Sequence, residues 1–314
     1  MINIQIPNWQ EHELLDTGNG RKLERFGKYI LNRIEPQATW HQTLSESEWH
    51  KADAVFRKAS DRGGNWELKK QIPGKWTMSY ESLKLELRLT PFGHVGVFPD
   101  QSNQWEWISN KIKQRSHPEP RLNRGNLVSG SQAETPEQVR GDKAVNVLSL
   151  FTYTGASTLE AAAAGAHVTH VDASKPAITW ARENQRISGL TDKPIRWIPE
   201  DALKFVKREV RRNSRYDAII MDPPKFGRGT QGEVWKFEES FPELIDYCRQ
   251  ILSDNPLFIL TTAYAIPVSS ISLANMISDA TRKLKGNIEY GELALKQTSN
   301  EKLLPTAIFC KWER

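Results

Sequence analysis

From residue 145 onward the chain alternates between two hydrophobic patterns. Short, largely apolar runs ("VNVLSLF", "HVTHVD", "PIRWIPE", "YDAIIMD", "PLFILTTAY") are separated by segments with apolar residues at helical spacing ("GASTLEAAAAGA", "SKPAITWARENQRISGL", "DALKFVKREVRR", "ESFPELIDYCRQILS", "SSISLANMISDATRKL"). Continuous apolar strands that alternate with helices predict an α/β fold with a parallel, doubly wound, Rossmann-like sheet. Ser174 is placed to N-cap one helix and Gly189 to stop it. The last two runs, "NIEYGELAL" and "TAIFCKW", have no helix between them, which predicts an antiparallel final strand.

Residues 1–112 read differently. "KYILNRIEPQATW" and "ESLKLELRLTPFGHVGVFPD" alternate apolar and polar positions, with Pro-Phe-Gly as a turn, and predict a small, mostly β N-terminal domain. "SEWHKADAVFRKAS" fits either a helix or a strand. Residues 113–144 are Pro, Gly, Ser, Gln and charge, and are expected to be a linker or mobile insertion. Residues 145–314 then form the second domain, consistent with a chain longer than the usual roughly 100–200 residues of one domain.

No apolar run approaches the roughly 18 residues of a membrane span. The start, "MINIQIPNWQEHELL", lacks the basic and apolar regions of a secretory signal. The two cysteines, Cys248 and Cys310, have no paired spacing, and the seven histidines show no metal-ligand spacing. A cytoplasmic protein with no metal and no membrane partner is the expectation. The net charge of +5 is compatible with a polyanionic partner without requiring one. The Trp residues of "NQWEWISN" read as core anchors.

In a parallel sheet, ligands bind beyond the carboxyl ends of the strands. The first strand here leads into "FTYTGAS"; the next three deliver Asp172, Glu200-Asp201 and Asp222 to the same rim. Singly, Asp172 and Asp201 can be helix caps; three acids in consecutive units point to a ligand. Gly155 stands alone, so neither the G-x-G-x-x-G nor the P-loop phosphate cradle is present. Asp172, 17 residues after Gly155, is placed to take ribose hydroxyls. Asp201 can accept from an adenine amine and Asp222 from a ligand ammonium. A ligand with ribose, adenine and an amino-acid tail but no phosphate is S-adenosyl-L-methionine.

With those residues in place, 146–314 resembles the class I S-adenosylmethionine-dependent methyltransferases. "NVLSLFTYTGAST", "THVDASKPAITWARENQRISGL" and "IIMDPPKFGRGTQGEVWKFEE" resemble more narrowly the bacterial 23S rRNA methyltransferase group, with its cytosine-C5 and guanine-N7 members. "GHVGVFPDQ" is similar to the small domain those enzymes carry first. The resemblance implies that Phe151, Tyr153, Thr154 and Gly155 line the methionine side of the cofactor. It implies Asp172 on the ribose, Ala173 and Ser174 beside the adenine, and Asp201 with Ala202 against its ring. Asp222, Pro223 and Pro224 would floor the gap between donor and target base, with Phe226 stacking on that base. Gln101 would close over the cofactor, and Lys225, Arg228 and Trp235 would meet the substrate, ribosomal RNA. Trp235 reads equally as a packing anchor, and Lys207, Arg208, Arg211 and Arg212 as a solvated helix face.

One departure concerns mechanism. Methylation of cytosine C5 needs a nucleophile, normally a Cys, but Thr261 and Thr262 stand at the end of the fifth strand and the Asp-Pro-Pro motif has no Cys. Transfer to a ring nitrogen, exocyclic amine or oxygen needs none. Three other readings compete: the same fold acting on a protein side chain or small molecule, a non-catalytic RNA-binding module, and a nicotinamide-dependent oxidoreductase, which the missing glycines disfavour.

Overall fold

The structure, a computed structural model, describes residues 2–60, 63–116, 144–229 and 232–314. The N-terminal part begins with β1 (Asn3–Gln5), β2 (His12–Gly18), β3 (Arg21–Phe26), β4 (Tyr29–Ile34) and the one-turn helix α1 (Glu46–Trp49). It continues with β5 (Ala54–Ser60), β6 (Gly63–Leu68), β7 (Trp76–Tyr80) and β8 (Leu83–Leu87). "SEWHKADAVFRKAS" thus holds both a short helix and a strand. β2 to β6 form one sheet in chain order, and β7 pairs with β8 in a separate hairpin.

A 3-10 turn, Pro99–Gln101, then leads into α2 (Ser102–Ser116), which was not expected from the sequence. Its composition is polar, but Trp105, Ile108 and Ile112 share one face and are fully buried. Trp105 packs edge-on against Trp9 and Tyr80, while Ile108 and Ile112 pack under the large sheet. The segment expected as a linker from 113 therefore starts as the end of a helix. Its remainder, 117–143, lies outside the described residues.

The rest follows the predicted alternation: β9 (Asn146–Leu150), α3 (Ala156–Ala163), β10 (His167–Val171), α4 (Lys175–Ile187), β11 (Ile195–Ile198), α5 (Ala202–Arg211), β12 (Ala218–Met221). A hairpin of β13 (Phe226–Arg228) and β14 (Val234–Lys236) precedes α6 (Phe237–Gln250), β15 (Phe258–Ala263), α7 (Ser270–Thr281), β16 (Asn287–Lys296) and β17 (Leu303–Glu313). The sheet order is β1-β16-β17-β15-β12-β9-β10-β11. β17 runs antiparallel to both neighbours, as expected. β1 was read as part of the N-terminal β region, yet it pairs in parallel with β16 at the edge of the large sheet.

The two parts are bonded together beside the site. Trp180 on α4 donates from its indole to the Glu86 carbonyl (2.9 Å), and Asn184 accepts from the Glu86 N–H (2.8 Å) and donates to the Thr154 carbonyl (3.0 Å). The Thr154 hydroxyl donates to the Gly96 carbonyl (2.5 Å). Gly96 has φ 103°, and a Cβ there would lie 2.2 Å from the Trp180 ring, so only glycine lets this loop approach α4.

A carboxylate-rimmed cleft as candidate active site

Strand order reverses between β9 and β12, and a cleft of about 750 Å³ opens there against the N-terminal wall. After β9 the chain turns through Phe151, Tyr153 and Gly155, all in left-handed conformation (φ 60°, 48° and 85°). A non-glycine residue held this way costs about 1–2 kcal/mol and persists where its surroundings over-determine it. The rings do so here: Phe151 lies 4.8 Å from Trp235 and Tyr153 5.8 Å from Trp180.

That turn aims the Tyr153 N–H at Asp172 Oδ2 (3.2 Å), while Oδ1 accepts from Ser174 N–H (2.8 Å). Burial pushes the Asp172 carboxyl up to about 6 against the pull of these two donors. Asp172 is not a helix cap: Ser174 caps α4 by accepting from Ala177 N–H. Asp201 does cap α5, accepting from Lys204 N–H at 2.9 Å, and still lines the cleft.

Asp222 has no helix to cap. β12 passes through Pro223 and Pro224 straight into the β13–β14 hairpin. Its Oδ2 accepts from Gln101 Nε2 (2.8 Å). Burial pushes its carboxyl up to about 7, with the Gln101 bond pulling down and Asp100 and Asp172 pushing further up. No cation is among the groups acting on either Asp172 or Asp222.

Ala173, Ser174, Pro223, Pro224, Lys225, Phe226 and Arg228 also line the cleft. Thr154, Gly155 and Ala202 do not: Thr154 is spent on the Gly96 bond, Gly155 packs on Ala181, and Ala202, the first residue of α5, is buried in the core cluster that holds Val171 and Phe205. Trp235 reaches the cleft at 3% exposure, with its indole N–H donated to the Pro224 carbonyl (2.6 Å), the geometry of a packing anchor. Lys207 and Arg208 on α5 and Arg212 at its C-terminal cap are ion-paired to Glu243, Glu200 and Glu209.

Neither cysteine lines the cleft. Both are fully buried, and burial raises both thiols, Cys310 to about 12 and Cys248 further still. Among the described residues, no three His, Cys, Asp or Glu converge as for a metal, and no helix is long and apolar enough to cross a membrane.

The sequence reading missed the opposite wall. Lys22, Glu24, Arg33, Phe92, His94 and Asp100 line it. Glu24 would be raised by burial, but Arg33 (2.5 Å), Lys22 and His12 outweigh it and hold the carboxyl well below the usual range. Asp100 is raised by burial, with Lys22 and Thr306 pulling it down. "PFG" was legible as a turn, but an aromatic at its tip, where no turn requires one, was the unused signal.

The family described as Conserved hypothetical protein 95 matches residues 136–238. Ribosomal RNA large subunit methyltransferase K/L of Shewanella frigidimarina is 36% identical over 119 residues, 37% of this chain and 16% of that protein. Ribosomal RNA large subunit methyltransferase I of Alteromonas mediterranea is 38% identical over 85 residues, 27% of this chain and 21% of that protein. The chain thus spans about a fifth or less of the length of these curated relatives. The crystal structure of an S-adenosylmethionine-dependent methyltransferase from Agrobacterium tumefaciens is 40% identical, with a TM-score of 0.87, covering 100% of this chain and 93% of that one.

Proposed function

The chain belongs to the S-adenosylmethionine-dependent methyltransferases, and from that premise we propose that it methylates a nitrogen or oxygen of an RNA base, with ribosomal RNA as the substrate class. The observation that carries this reading is the exit from β12. There an uncompensated carboxylate, two prolines, an aromatic ring 54% exposed and two exposed cations follow one another along one cleft. The local relatives named as ribosomal RNA methyltransferases support the same substrate class.

The residues fit the cofactor. Raised, cation-free carboxylates suit a ligand that brings its own positive charge, and a single turn glycine suits one without phosphates. Asp172 would hold the ribose hydroxyls, with Ala173 and Ser174 beside the adenine and Asp201 at its amine. Phe151 and Tyr153 would wall the methionine side, and Gln101 would close over it. S-adenosylmethionine supplies an electrophilic methyl group on a sulfonium.

Asp222 would orient a substrate N–H and accept its proton, as its carboxyl titrates near neutrality. Pro223 and Pro224 bring no N–H groups to the floor and keep it rigid. Phe226 offers a face for a base, and Lys225 and Arg228 reach phosphates. With no thiol in the cleft, a covalent adduct at a pyrimidine C6 has no nucleophile among the described residues.

Tritiated S-adenosylmethionine supplied with ribosomal RNA from cells lacking this protein, followed by mass spectrometry of the nucleosides, tests the reading. An N- or O-methylated ribonucleoside is expected. Label found only in protein or small molecules, or on a pyrimidine C5, would contradict it.

A further inference from the structure

Two of the most exposed large apolar side chains in the molecule lie on the same cleft. Phe92 is 65% exposed and Phe226 54% exposed. Single exposed apolar residues are ordinary. These two are unusual because they come from separate parts of the chain and stand on the two walls of one cleft.

The backbone beneath each ring is held by hydrogen bonds. Phe92 occupies the tip of a hairpin closed by Arg88 N–H to Val95 O (3.0 Å), Thr90 N–H to His94 O (3.2 Å) and Gly93 N–H to Thr90 O (3.1 Å). Gly64 N–H donates to the Pro91 carbonyl (2.7 Å), pinning the tip to β6. Pro91 and Gly93 serve the turn, Pro by its fixed φ and Gly by its φ of 78°. Nothing in the turn calls for Phe at 92. Across the cleft, Phe226 stands on β13, fixed by pairing with β14 and by the Trp235 indole bond to Pro224. A backbone held in this way makes an exposed ring a prepared surface, because little loop entropy is lost on contact.

We propose that Phe92 and Phe226 form a two-sided aromatic clamp that takes an unstacked nucleobase between them and presents it to the rim acids. The proposal rests on the RNA-methyltransferase reading and assigns to the N-terminal region a direct part in substrate recognition. A base drawn out of its stack loses its neighbours' π-faces; two phenyl faces replace them and tolerate any base.

The test uses the full chain and a fluorescein-labelled single-stranded RNA 12-mer, with binding read by anisotropy at fixed salt. Phe92→Ala and Phe226→Ala are each expected to weaken binding on the order of 10- to 100-fold. The double variant should lose less than the product of the two. Phe92→Tyr should restore binding and Phe92→Leu should not, since a planar face is required. Melting temperature and S-adenosylmethionine affinity of Phe92→Ala should match wild type. Wild-type affinity in Phe92→Ala, or full rescue by Phe92→Leu, would overturn the clamp while leaving the RNA reading standing. Absence of RNA binding by the wild-type chain would overturn both.

Discussion

Glu24, fully buried, and Asp222, half-buried, are carboxylates on opposite walls of one cleft, and they are handled in opposite ways. Glu24 has Arg33, Lys22 and His12 around it and titrates well below the usual range. Asp222 has an amide donor and two neighbouring acids, and titrates near 7. A buried charge that carries its own counter-ions is part of the architecture. One kept near neutrality without a cation is held ready for a ligand. Asp16 is a third case, a fully buried carboxylate with neutral donors in place of counter-ions: Thr43 N–H, Leu44 N–H and the Trp49 indole bond to it. Asp172, raised to about 6, belongs with Asp222.

The two kinds of acid also respond to pH with opposite sign. Asp172 and Asp222 fold with values above their ordinary 3.8. Each therefore takes up a proton on folding, and their contribution to the stability of the free protein falls as pH rises from about 4 through about 7. Glu24 folds with a value below its ordinary 4.5. Its contribution is complete above that value and is lost as pH falls below it.

The contrast can be broken by mutation, most sharply at its ends. Asp222→Ala should lower the transfer rate by on the order of 10²–10⁴ with the fold intact by circular dichroism; full activity would remove Asp222 from the site. Glu24→Gln leaves Arg33 buried without its anion, while Lys22 keeps Glu35, and should cost about 3–5 kcal/mol in urea unfolding, with S-adenosylmethionine affinity within about twofold of wild type. A stable Glu24→Gln that fails to bind cofactor would reverse the assignment. A similar contrast holds for the cations. Lys225→Ala and Arg228→Ala should each weaken RNA binding several-fold and lower the salt slope by about one, whereas Lys207→Ala, already paired with Glu243, should change neither. The smallest effect is expected for Cys248→Ser and Cys310→Ser, which should keep full transfer activity per folded molecule; its loss in either would reopen a covalent route.

Much of the catalytic half was legible because its strands, such as Ala218–Met221, are apolar on both faces and end in acids. The rim followed from the residues that stand at the carboxyl ends of successive strands. The capping reading of Asp201 and the packing reading of Trp235 could not be separated from their ligand readings by sequence, since both turn on where a single side-chain atom points. α2 was hidden because only Trp105, Ile108 and Ile112 mark its buried face in a polar segment. β1 was hidden because three residues carry no signal about which sheet they join. The opposite wall of the cleft was hidden for a third reason. Phe92 and Asp100 reach it only through tertiary bonds such as Thr154 to Gly96, which no local pattern announces.

The central claim, that the unpaired acids of the rim await a cationic nucleoside, is met most directly by isothermal titration with S-adenosylmethionine. Titrations at about pH 6 and about pH 8, each in two buffers of different ionisation enthalpy, would count the protons exchanged. Binding should tighten toward the higher pH and release protons near neutrality, as Asp172 and Asp222 give them up to face the ligand's charge, while NAD should not bind. Binding that is independent of pH and releases no proton, or preference for NAD, would contradict the account.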